Sequence, residues 1–104
     1  MVYWTESAQA DLNSIIDYIS DDNISIALDI FEKIKIKCDG LKKFPEKGRV
    51  VSELKIHNID SHREIIISPW RIIYRDIDFN VFIISVFDGR RNMEDILLDR
   101  ILRD

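Results

Sequence analysis

The sequence predicts an α+β fold in which an α-helical hairpin packs on one face of a small antiparallel sheet. Three observations support this prediction. Apolar residues recur at helical spacing over residues 6–43, the pattern changes to β-branched and aromatic runs after residue 62, and turn residues separate those runs. Helices and strands that are segregated along the chain in this way are typical of α+β proteins.

The opening residues predict a short strand followed by a helix. Met1–Trp4 is apolar and aromatic, and Thr5 can cap a helix whose first turn carries Glu6. The helix is expected to run to about residue 20, because its apolar positions follow helical spacing until the polar turn at residues 20–23. These apolar positions are Ala8, Leu12, Ile15, Ile16 and Ile19.

A second helix is predicted over about residues 24–43. Its apolar positions alternate in steps of three and four, which gives a narrow seam suited to antiparallel packing on the first helix. Phe44-Pro45 ends the helix because proline cannot continue the hydrogen-bond ladder. The two helices and their polar turn form the predicted hairpin.

The second half of the chain predicts three or four strands and a closing helix. Short strands are expected near residues 49–53, over 63–67 and over 70–75. The nearly unbroken apolar run at 81–87 is expected to be a central strand buried on both faces. Short connections make consecutive strands antiparallel, and a short helix is expected over residues 93–102.

The composition indicates one cytoplasmic domain over residues 1–104. A hydrophobic content of 46% and a charged content of 33% are typical of a folded, soluble protein. No apolar run is long enough to span a membrane, and the acidic N-terminus is unlike a signal peptide. One cysteine, Cys38, cannot form an internal disulfide, and no metal-ligand cluster or phosphate-binding loop is apparent. No metal and no cofactor are therefore expected.

The net charge of −4 hides a segregated distribution. Residues 1–32 carry seven acidic and no basic side chains, whereas residues 33–75 carry eleven basic and five acidic ones. All eight arginines lie at position 49 or later, and guanidinium groups suit bidentate contacts to phosphate or carboxylate. Arg71 and Arg75 share one side of their strand, so a shallow cationic concavity is expected opposite the hairpin. An ordinary solvated surface would explain the same counts.

A set of segments spans nearly the whole chain in a fixed order: Trp4-Thr5, Asp11-Leu12, Phe44-Pro45, Gly48-Arg49, Arg63-Glu64-Ile65, Trp70-Arg71-Ile72-Ile73-Tyr74-Arg75 and Gly89-Arg90-Arg91. Together these segments resemble the RelE/ParE superfamily, the toxins of bacterial type II toxin–antitoxin systems, and ParE-like members in particular. The resemblance implies the α+β fold predicted above, a role in plasmid stabilisation, and a cognate antitoxin whose chain wraps the toxin. Purified alone, the protein could self-associate as a homodimer through the same surface.

The resemblance implies two alternative activities. ParE-like members inhibit DNA gyrase, whereas RelE-like members are ribosome-dependent endonucleases that cut messenger RNA with basic and aromatic side chains. A third alternative is an inactive superfamily member that acts only as a binding module. The sequence leaves open whether the chain is an enzyme. Gyrase inhibition is the favoured hypothesis because acid–base residues are scarce and the net charge is negative.

The nuclease alternative has three candidate catalytic residues, Arg63, Arg71 and Arg91, which the resemblance places at basic positions of the nucleases. Cations there would stabilise the phosphate charge of the transition state. Two positions depart from that pattern, because Ile65 stands where a lysine is expected and Asp88 where many relatives have a histidine. The tail after residue 91 also lacks the tyrosine or histidine that commonly assists.

A second set of side chains is expected to bind a partner protein. Aromatic and arginine side chains are frequent at interfaces, and four of them lie near the predicted concavity. His62 is expected to be an ordinary exposed histidine in a loop, Asp88 to pair with Arg90 or Arg91, and Tyr74 to pack under the helices. The four expected binding residues are Arg49, Trp70, Arg75 and Arg90.

Overall fold

A five-stranded sheet carries a pair of antiparallel helices on one face, in a computed structural model that describes residues 1–103. Short helices follow the second and the last strands. In chain order the elements are β1 (Val2–Trp4), α1 (Glu6–Ser20), α2 (Ile24–Asp39) with a 3₁₀ turn (Gly40–Lys42), β2 (Arg49–Val50), α3 (Ser52–Lys55), β3 (His62–Ile67), β4 (Trp70–Ile77), β5 (Asn80–Asp88) and α4 (Glu94–Arg103).

The sheet is mixed, whereas the sequence predicted an antiparallel one. Its strand order is β1-β5-β4-β3-β2, and β1 runs parallel to β5, with Val2 opposite Val81. The remaining neighbours are antiparallel. Only strands joined by tight turns are bound to be antiparallel, and β1 is separated from β5 by most of the chain. The predicted opening strand, helical hairpin, three later strands and closing helix are confirmed.

Local hydrogen bonds begin both helices of the hairpin where the sequence predicted. The Thr5 hydroxyl accepts from the backbone N–H of Ala8 at 3.1 Å, and the Asn23 side chain accepts from that of Ile26 at 3.0 Å. These caps satisfy N–H groups that have no partner inside the helix. The helical seam then packs on Ile72, Tyr74 and neighbouring sheet residues to form the main core.

The predicted strand near residues 49–53 is mostly wrong. Only Arg49 and Val50 pair with β3, and the chain then turns into the helical α3. Val51 and Leu54 are fully buried there against Ile73, on the sheet face opposite the hairpin. Burial of this apolar pair compensates for the backbone pairing with β3 that Ser52 and Glu53 do not make. Phe87, Met93 and Leu97 complete this second apolar cluster, so α3 and α4 cover part of that face.

Tyr74 fastens the loop after the hairpin to the sheet. Its buried hydroxyl donates to the Pro45 carbonyl at 2.7 Å and accepts from the Gly48 N–H at 2.8 Å. Gly48 has no side chain to obstruct this contact: a Cβ there would lie 2.6 Å from both the Tyr74 hydroxyl and the Glu64 carbonyl oxygen. The expectation that Tyr74 packs under the helices is therefore confirmed.

Replacing Tyr74 with phenylalanine should lower the free energy of unfolding by about 1–3 kcal/mol, because it leaves a buried N–H and a carbonyl without their partner. The measurement is urea denaturation followed by circular dichroism. Tyr18→Phe, at an exposed site on α1, is the matched control and should change little. Equal stability of the two variants would contradict the role assigned to the hydroxyl.

Candidate functional site

Arg71 lies between two glutamates on the sheet face opposite the hairpin. Its Nε donates to Glu64 Oε1 at 2.5 Å and its Nη2 to Glu64 Oε2 at 2.7 Å. Nη2 also donates to Glu53 Oε1 at 2.8 Å, and Nη1 donates to Glu53 Oε2. The Arg71 side chain is only 11% exposed and that of Glu64 only 1%, so these ion pairs are largely shielded from water.

Strand register and a helical turn assemble this Arg71 cluster. Glu64 lies opposite Ile73 and Ile66 lies opposite Arg71, so Glu64 and Arg71 share one face of β3 and β4. The α3 turn brings Glu53 onto the same face. Gly89 leaves room for the arginine, because a Cβ there would lie 2.9 Å from two carbons of the Arg71 side chain.

The ion pairs neutralise Arg71. Its hydrogen bonds lower the pKa of Glu53 to about 2, and the two glutamates raise the pKa of Arg71. Arg49 lies 3.6 Å from Glu64 as well, although its side chain is mostly exposed. The expectation of an open cationic concavity is wrong for Arg71, because carboxylates that the sequence could not place fill it.

Arg63 lies on the other face of the sheet. It pairs with Tyr74 across β3 and β4 and so faces the hairpin, where its Nη1 donates to the Gly48 carbonyl at 2.8 Å. Ile65 follows it on that face. The structure therefore separates Arg63 from Arg71 by the thickness of the sheet. Arg91 lies after β5, and the three candidate catalytic arginines form no single cluster.

His62 differs from its expected exposure. It is 4% exposed within β3, opposite Arg75, and burial together with the Arg75 charge lowers its pKa to about 4. The Ser61 hydroxyl lies 2.9 Å from its Nδ1. Its predicted loop position was wrong because β3 begins one residue earlier than the apolar run suggested. Arg75 itself is exposed on the same face.

A groove of about 400 Å³ lies between α1, the end of β5 and α4. Its apolar wall includes Ile15, Tyr18 and Trp70, and Arg90 and Arg91 stand at its rim. Arg90 pairs with Asp88, as the sequence predicted, and lowers the pKa of that carboxyl to about 2. No salt bridge to Arg91 is found within residues 1–103. We call this surface the α1–β5 groove.

Asp11 joins three elements at the floor of the α1–β5 groove. It accepts hydrogen bonds from the Val86 N–H at 3.0 Å and from Arg100 Nη1 at 2.5 Å. Ser85 contacts both side chains. Sequence reasoning did not connect Asp11 with Arg100, because no local pattern relates residues 89 positions apart. Their pairing fixes α4 against α1 and so shapes the groove.

Two further properties of residues 1–103 bear on the site. None of their helices combines the length and apolar character that crossing a membrane requires. Within the same residues, no three His, Cys, Asp or Glu side chains are grouped in a way that could hold a metal ion. Cys38 is buried in the helical seam, and this burial raises the pKa of its thiol to about 12.

The sequence model of a family described as "ParE toxin of type II toxin-antitoxin system, parDE" matches residues 2–93. The chain belongs to the ParE toxin family. Its fold is similar to a solved structure titled "Chromosomal ParDE TA system from P. aeruginosa", with a TM-score of 0.69 and 21% sequence identity. That alignment covers 84% of this chain and 92% of the other. No curated protein matches the chain.

Family membership identifies this ParE chain as a toxin of a type II toxin–antitoxin system and confirms the resemblance found in the sequence. The family match includes β1 through β5, and thus the Arg71 cluster and most of the α1–β5 groove. The structural neighbour, at its low identity, supports the fold alone.

Replacing Arg71 with methionine should lower the free energy of unfolding by about 3–5 kcal/mol, because two shielded carboxylates lose their partner. Adding Glu53→Gln and Glu64→Gln to that variant should restore much of the loss. Arg90→Met, in an exposed pair, is the matched control and should hardly change stability. The measurement is urea denaturation at neutral pH. An Arg71→Met protein as stable as the control would show that the cluster is not structural.

Proposed function

We propose that this ParE toxin stops growth by binding and inhibiting DNA gyrase, and that it does not cut RNA. The observation that carries the proposal is the sequestration of Arg71 by Glu53 and Glu64. A catalytic arginine must offer its N–H groups to the phosphate in the transition state. Arg71 instead donates hydrogen bonds from its Nε and both Nη nitrogens to carboxylates of the same chain.

The acid–base side chains near the arginines also favour binding over cleavage. A general base works best with a pKa near the operating pH. Arginine partners hold the pKa of Glu53 and of Asp88 at about 2, which makes both carboxylates weak bases at neutral pH. His62 is almost fully buried and has a pKa of about 4. None of these three side chains combines suitable basicity with access to a substrate.

The α1–β5 groove supports a role in protein contact. Trp70 and Tyr18 supply aromatic surface, and Arg90 and Arg91 supply cations at its rim. Aromatic and arginine side chains contribute most of the binding energy at many protein interfaces. We therefore assign the gyrase contact to this groove, with action in the cytoplasm. A cognate antitoxin is the second proposed partner, and without it the exposed Tyr18 would favour a homodimer.

The proposal predicts that the purified protein stops gyrase from supercoiling relaxed plasmid DNA. Trp70→Ala combined with Arg91→Ala should raise the half-inhibitory concentration at least about tenfold, which corresponds to the loss of one or two interface anchors. Arg103→Ala, an exposed arginine outside the groove, is the matched control and should inhibit like the unchanged protein.

The result that would overturn the proposal is normal supercoiling at protein concentrations that stop the growth of expressing cells. If translated messenger RNA were cleaved under those conditions, the ribosome-dependent endonuclease would replace gyrase inhibition. Absence of toxicity, with a folded protein, would favour a member that only binds.

A further inference from the structure

We propose that the free edge of β3 at Ile65–Ile67 receives an extended acidic peptide segment as an additional strand. The segment would alternate acidic with apolar side chains. This inference rests on the proposed function because it takes the antitoxin as the partner that supplies the segment. It concerns a surface at the opposite end of the sheet from β1 and distinct from the α1–β5 groove.

The edge is open because β2 is shorter than β3. Only Arg49 and Val50 of β2 pair with β3, opposite Glu64 and Arg63. Before Arg49 the chain bends away, as the Lys47 N–H donates to the Phe44 carbonyl at 3.1 Å. No strand of residues 1–103 therefore lies beside Ile65–Ile67 on this side. An unpaired strand edge is a template for pairing with another chain.

One residue of this edge directs its backbone groups outwards. The Val51 N–H donates to the His62 carbonyl at 3.1 Å, so His62 turns its backbone groups towards β2. Because this orientation alternates along a strand, Glu64 and Ile66 do the same. Glu64 is paired with Arg49 of β2, whereas on this side no strand within residues 1–103 pairs with Ile66. The N–H and C=O of Ile66 are thus available to an incoming backbone.

The space beside the edge has a cationic border. A cavity of about 290 Å³ there is lined by Lys37, Lys47 and Arg49 together with the three isoleucines. Glu64 is the one carboxylate in this lining, and Arg71 already binds both of its oxygens. The border therefore has a net positive charge, which favours acidic side chains in an added strand.

The two faces of the sheet differ at this edge, and this difference determines how acidic and apolar side chains alternate in the segment. Ile65 lies on the face that the hairpin covers, and Lys37 belongs to that hairpin. Ile66 lies on the other face and is 48% exposed. Side chains of an added strand point alternately to the two faces. Acidic side chains on the hairpin face would thus meet Lys37, and apolar ones on the other face would cover Ile66.

A second copy of this chain fits the edge less well. Pairing β3 with β3 of another copy would bring the Lys37, Lys47 and Arg49 groups of both copies together. Like charges in such positions oppose association. The charge of the border therefore favours an acidic partner over self-pairing.

The test uses the full-length protein and a synthetic ten-residue peptide in which glutamate alternates with valine, labelled for fluorescence anisotropy. Ile66→Pro should weaken peptide binding at least about tenfold, because proline removes the outward N–H while leaving the bonds to β4 in place. Ile66→Val is the matched control and should bind normally. Lys37→Glu with Lys47→Glu should also weaken binding, whereas Lys43→Glu, outside the cavity lining, should not.

A peptide control avoids any effect on folding. N-methylation of alternate residues in the peptide removes its backbone donors and should abolish binding to the unchanged protein. The proposal is overturned if the N-methylated peptide, or a peptide with lysine in place of glutamate, binds as tightly as the original. A dimer of the unchanged protein that Ile66→Pro dissociates would overturn the choice of an acidic occupant in favour of a second copy.

Supercoiling by gyrase is measured with the same Ile66→Pro protein. Loss of peptide binding with gyrase inhibition retained is the expected pattern, because the edge and the α1–β5 groove are separate surfaces. Peptide binding without any gyrase inhibition by the unchanged protein would overturn the proposed target and leave the edge proposal supported. Gyrase inhibition without peptide binding would overturn the edge proposal alone.

Discussion

The pairing of Arg71 with Glu53 and Glu64 is the interaction on which the rest of the structure depends. It joins β4, β3 and α3 on the sheet face that the hairpin leaves uncovered. Removing water from a single charge is costly, so each member of the cluster needs the others. Once the charges cancel, Val51, Leu54 and Leu97 can pack beside them in the second apolar cluster.

With Arg71 paired to carboxylates, the proposed binding surfaces of this toxin are two other parts of the fold. In one part, Arg90 and Arg91 border the α1–β5 groove, whose shape depends on the Asp11–Arg100 pair. In the other, Lys37, Lys47 and Arg49 border the open edge of β3. The two surfaces share no lining residue, so a target and an antitoxin segment could act on separate parts of one small fold.

The parts of the fold that depend on local chemistry could be predicted from the sequence, and those that depend on register could not. Thr5 and Asn23 cap helices through contacts three residues away, which a local pattern reveals. The role of Arg71 depends on its alignment with Glu64 across a strand pair and on a helical turn at Glu53. Periodicity predicts alternation along one strand but does not fix its offset from the next. His62 was misjudged because β3 begins one residue before the apolar run, and the direction of β1 because no tight turn joins it to β5.

The most direct test of whether the toxin acts by binding a protein or by cutting RNA is a map of messenger RNA 5′ ends. The map is made in cells within minutes of inducing the protein. Growth arrest without new 5′ ends in translated regions is the expected result, since Glu53 and Glu64 bind the Arg71 guanidinium and the pKa of Glu53 is about 2. New ends within codons, abolished by Arg91→Ala in a protein that still folds, would contradict it.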